Sequence, residues 1–131
     1  MKTQINSLVH GTTHNTFGQV GTKREIREAI THKVWEENPD GIDIEIRGMQ
    51  FHLDADWSVS HKTCTYSTDI TDEQAKAFGI DMSIYDYLHK ACIVINADMT
   101  VELQTAARKT ENHQWKFRGF TRIAEAEVTI L

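Results

Sequence analysis

The sequence predicts an α+β fold: a mostly antiparallel sheet of about six strands with two or three helices packed on one face. The expected order is helix, three strands, one or two helices, then two pairs of strands. Three observations predict it. Ile42, Ile44 and Ile46 alternate with Asp43, Glu45 and Arg47, and Phe51, Leu53, Ala55, Trp57 and Val59 alternate with Gln50, His52, Asp54, Asp56 and Ser58. A period of two with one apolar side belongs to a sheet covered on one face and wetted on the other. Ile26, Ala29, Ile30 and Val34 recur at helical spacing behind Thr22 and Glu25, a capping box in which each side chain satisfies a free backbone amide of the other residue. The apolar run Cys92–Ile95 and the alternating Val101 and Leu103 flank Asn96, Ala97 and Asp98, which is turn chemistry between two strands.

The elements follow in order. Ile5, Leu8 and Val9 at helical spacing predict a short helix over residues 2–10, with Gly11 as its stop, and Thr12 to Gly21 reads as a loop. The helix from Thr22 ends at Asn38, Pro39, Asp40 and Gly41. A tight turn at Gly48 and Met49 sets Ile46 opposite Phe51 and Ile44 opposite Leu53; a second at Ser60 and His61 sets Trp57 opposite Cys64 and Ala55 opposite Tyr66. Thr71 with Gln74 repeats the capping-box spacing, so a short helix carrying Ala75 and Phe78 runs to Gly79. Ile84, Leu88 and Ala91 predict a second helix over residues 81–91. After the hairpin, Trp115 and Phe117 alternate with Lys116 and Arg118, which sends the rings to the core and the charges to solvent. Gly119 permits a bulge. Ala124, Ala126, Val128 and Ile130 predict a last strand with an edge open to a second copy.

The 131 residues fit a single domain, 1–131, and the expected location is cytoplasmic, because no run is apolar and long enough for a signal peptide or a membrane span. Cys64 and Cys92 read as reduced, buried small apolar groups. The net charge of -5 is uneven: residues 41–104 hold eleven acids against four bases, whereas residues 105–122 hold Arg108, Lys109, Lys116, Arg118 and Arg122 against Glu111 alone.

Candidate chemistry is sparse. On the wet face the expected register sets His52 between Glu45 and Asp69, an arrangement that can orient a general base, although a solvated, partly ion-paired surface accounts for the same residues. His10 and His14 have a metal pair's spacing, but Gly11 separates them and no glutamate follows the first, so no metal and no cofactor is expected. No Gly-x-Ser-x-Gly turn and no phosphate-cradling glycine loop occurs. The order from Thr22 to Phe78 is also that of double-stranded-RNA-binding domains, but their second helix is lysine-rich, whereas the one here opens with Asp72 and Glu73 and offers only Lys76. The basic stretch Trp115 to Arg122 interleaves rings and cations as binders of single-stranded nucleic acid do.

The first expectation is therefore a small non-enzymatic binding or accessory protein that engages a protein partner or a second copy, without membrane contact. The alternative is a nucleotide or nucleic-acid binder using Trp115, Lys116, Arg118 and Arg122. A third reading is a small hydrolase using His52 with Glu45 and Asp69.

Overall fold

In the computed structural model, which describes residues 3–5, 34–58, 63–82 and 87–131, the chain is built mainly of β-structure rather than as the expected α+β domain. The strands are β1 (Thr3–Gln4), β2 (Gly41–Ile46), β3 (Met49–Ser58), β4 (Thr63–Ile70), β5 (Leu88–Ile95), β6 (Val101–Arg108), β7 (Lys116–Ile123) and β8 (Val128–Ile130). They form one curled antiparallel sheet in the order β1-β8-β2-β3-β4-β5-β6-β7. Among the described residues, α-helix of a turn or more is confined to residues 34–37 and to Asp72–Ala77. The two or three helices expected over one face reduce there to these two short pieces.

The difference has local causes. Thr3 and Gln4 pair with β8 as a strand; beyond Ile5 the helix expected over residues 2–10, the loop expected from Thr12 to Gly21, His10 and His14, and most of the helix expected from Thr22 lie outside the described residues. Leu88 to Ala91 are strand, because β5 runs opposite β6 in one unbroken ladder from Leu88↔Arg108 to Ile95↔Val101. The i, i+4 spacing of Leu88 with Ile84 is outweighed by that ladder. The chain after Ile123 also departs from the alternation. Glu125–Glu127 is a 3-10 turn that leaves Ala124 and Ala126 exposed, and β8 then inserts between β1 and β2. The last strand is therefore covered on both sides and offers no edge to a second copy.

The inner face of the sheet holds the core. Ile42, Ile44, Ile46, Leu53, Tyr66 and Ile93 are all at most 3% exposed, and Phe51 and Trp57 point the same way. Over them lie Val34, Ala75 and Met82, with Trp35 stacked on Trp57 at 4.2 Å between ring centroids and Phe78 against Phe51 at 6.4 Å. Asn38 ends the first helical segment as expected, and its carbonyl accepts a hydrogen bond from the Tyr66 hydroxyl at 3.3 Å.

At the first hairpin the register is shifted by two residues from the expected one. The turn is Arg47–Gly48, both at positive φ, so Ile46 faces Met49 and Ile44 faces Phe51. A two-residue turn of this hand matches the twist of the strands and needs positive φ at both positions. Arg47 tolerates it because its guanidinium is held by the Ala77 carbonyl and Glu127 and lies over the Phe78 ring, while Met49 stays in an apolar pair. Around the second hairpin, Trp57↔Cys64 and Ala55↔Tyr66 are the expected partners; its turn lies outside the described residues.

Burial pushes the Cys64 thiol and, further, the Tyr66 phenol above their ordinary ranges. The fold favours the neutral forms, so this contribution to stability is fully present below the ordinary values and is lost as pH rises through them. Urea unfolding should show stability falling above about pH 9, and Tyr66→Phe should flatten that fall. At Gly41, with φ +146, a Cβ would meet the Leu53 carbonyl oxygen at 2.6 Å and the His52 ring at 2.9 Å. Gly41→Ala should lower the unfolding free energy by about 2 kcal/mol or more.

Candidate functional site

β7 closes one side of the sheet and carries the sequence's basic-aromatic stretch. Ile123 faces Val101 and is buried, and the ladder continues through Thr121↔Leu103 to Thr105↔Gly119. The next pair is Ala106↔Phe117, so Arg118 is an extra residue bulged out beside Gly119. An inserted residue reverses the faces of everything before it. Strict alternation back from Ile123 would turn Phe117 and Trp115 inward; the bulge turns them to the outer face, where Phe120 already lies.

The result corrects the expected burial of the rings. Phe117 is 60% and Phe120 54% exposed, and the two are stacked at 6.5 Å with 27° between planes. Trp115 is half-buried beneath cations: the Arg108 guanidinium lies 4.3 Å and the Lys90 ammonium 4.9 Å from its ring. Arg122 lies over Phe120 at 5.4 Å and also reaches Glu102 at 3.6 Å, so its charge is already partly neutralised. Such contacts fix the guanidinium planes and keep the ring edges accessible.

Lys116 and Arg118 are elsewhere. With Arg108 and Lys109 they line a cleft of about 380 Å³ at the rim of β5–β7. His113, bonded to Thr110 at 2.6 Å, and Tyr87, 49% exposed, complete two of its walls, and among the described residues no carboxylate lines it. Arg108 is shared by cleft and ring face; its Nε is buried without a hydrogen-bond partner among the described residues. The stretch Trp115 to Arg122 is the one the sequence singles out, whereas Arg108, Lys90 and Tyr87 join it only through the sheet. The available signal was Gly119, whose allowance for a bulge decides the faces.

The other candidate set does not assemble. His52 stands opposite Asp43, with Nδ1 2.7 Å from its carboxylate, and 3.7 Å from Asp54, whereas Glu45 faces Gln50 and Asp69 faces Cys92 and lies 3.9 Å from Lys90. The two-residue shift of the first hairpin separates Glu45 from His52. Asp43, His52 and Asp54 are each at least 60% exposed at their side chains, and among the described residues no group of three His, Cys, Asp or Glu is placed to hold a metal ion. Cys92 is half-buried on the outer face, not buried; its thiol, like that of Cys64, is raised by burial, with Asp69 adding to the effect. No helix among the described residues is long and apolar enough to cross a membrane.

Comparison with protein-family models, curated proteins and solved structures finds no match to this chain.

An exposed pair of this kind contributes little to folding. His52→Ala should change stability by less than about 1 kcal/mol in chemical denaturation, in contrast to the neighbouring Gly41→Ala.

Proposed function

We propose that the protein is a non-catalytic binder of single-stranded nucleic acid, which lies along β7 and stacks bases on Phe117 and Phe120. The observation that carries this reading is the exposure of both rings on one face of an edge strand, with Arg122 over Phe120 and with Arg108 and Lys90 over the neighbouring Trp115. A base has a π-face whatever its identity, and its phosphates need cations nearby, so rings and cations together serve a strand without demanding a sequence.

A protein partner is the second reading, favoured by the exposed acids Asp43, Asp54, Asp56 and Asp69 on the outer surface of β2–β4. They offer a basic protein surface its complement. Charge reversal at Asp54 and Asp56 would weaken such a partner and leave strand binding unchanged.

Fluorescence anisotropy with a labelled oligothymidylate tests the first reading. Binding should weaken with salt by about -0.7 in log K per log salt for each phosphate neutralised. Replacing Phe117 and Phe120 together by Ala should weaken it by about tenfold or more. Binding that ignores both salt and the loss of the rings would exclude the strand.

A further inference from the structure

Going beyond the ring face, we infer that the cleft at the rim of β5–β7 is a binding site for a phosphate monoester, the group carried by a mononucleotide or by a phosphorylated strand end. Among the described residues its walls supply Arg108, Lys109, Lys116 and Arg118 and no carboxylate. Four cations held round one space repel each other, and an anion relieves that repulsion in proportion to its charge. A phosphate monoester carries about -1.5 to -2 at neutral pH, whereas each internal phosphodiester carries a single charge, so the monoester is the better match.

Arg108 makes the site more than a loose group of surface cations. Its guanidinium lies over Trp115 at 4.3 Å, one nitrogen donates to the Glu111 carbonyl at 3.4 Å, and Nε is buried without a partner among the described residues. A fixed guanidinium fork suits a phosphate's paired oxygens better than a mobile ammonium does. The bulge contributes again: as the extra residue, Arg118 leaves the ladder and lines the same cleft as Lys116, two positions earlier. About 380 Å³ exceeds what one phosphate fills, and the exposed Tyr87 ring on the wall gives an attached base a face to stack on.

The inference does not depend on strand binding at Phe117 and Phe120, and the test separates the two. Amide chemical shifts of ¹⁵N-labelled protein are followed on adding thymidine 5′-monophosphate or thymidine, and anisotropy compares an oligothymidylate bearing a 5′-phosphate with the same strand lacking it. The monophosphate should shift the amides of Tyr87, Lys116 and Arg118 saturably while thymidine leaves them unmoved. Lys116→Gln with Arg118→Gln should weaken that binding by about tenfold or more, and Lys116→Arg with Arg118→Lys, which keeps both charges, should restore most of it. If only the strand with a terminal phosphate binds more tightly and the mononucleotide is silent, the site stands and its source is the strand end. Equal response to phosphorylated and unphosphorylated probes overturns the cleft and leaves the ring face intact. Monophosphate binding with no binding of either strand leaves the cleft and removes the ring face. Undiminished monophosphate binding by a folded glutamine variant overturns the inference.

Discussion

Ile123 is 4% exposed and faces the core from β7, and that single anchorage sets which way every other residue of the strand points. Side chains of a strand alternate without exception unless a residue is added. One is added, at Arg118. From there back toward Trp115 the strand is out of step with its own far end, and the rings that alternation assigns to the core stand outside. The outward turn of Phe117 and Trp115 and the position of Lys116 at the rim follow from that inserted residue, whereas Phe120 and Arg122 face outward by plain alternation from Ile123.

Legibility in the sequence divides along the same line. Where pairing is regular, the alternation of Ile42, Ile44 and Ile46 and of Phe51, Leu53 and Trp57 identifies the inner face, and Cys64 and Tyr66 find their predicted partners. Where one residue decides a register, pattern does not suffice. Gly48–Met49 and Arg47–Gly48 are equally acceptable as turns by composition; contacts from Ala77, Phe78 and Glu127, up to 80 positions away, select the second. That choice moves His52 from Glu45 to Asp43 and dissolves the hydrolase set. The helix expected over Leu88 to Ala91 fails for a similar reason, since the eight-residue ladder with β6 is a long-range property that a local period of 3.6 cannot reveal.

The charge asymmetry was visible in the sequence, but its meaning needed the sheet order. Acids gather on the outer surface of β2–β4 and cations on β5–β7, with the Lys90–Asp69 contact at the boundary. Strands lie about 4.8 Å apart, so β3 and β7 are about 19 Å apart along the sheet. That exceeds the roughly 8 Å Debye length at physiological salt. The acidic half therefore does not cancel the field at the β7 edge, and a net charge of -5 is compatible with an anionic ligand there. It also confines such a ligand, because a strand extending inward across the sheet meets like charge.

An edge strand needs some protection against pairing with other chains, and a bulge with Lys116, Arg118 and Arg122 provides it. That requirement accounts for the cations and the bulge, but not for Phe117 and Phe120. Protection is served by small or polar residues at those two positions, and placing large rings beside an unpaired edge works against it by adding an apolar patch where another sheet can dock. Rings kept more than half exposed, stacked on each other and bordered by the Arg122 guanidinium are a combination that stability does not ask for and edge protection disfavours. A ligand with flat faces and negative charge satisfies both features at once, and this is the physical reason for placing the working surface of the molecule at β7 instead of on the polar face around His52.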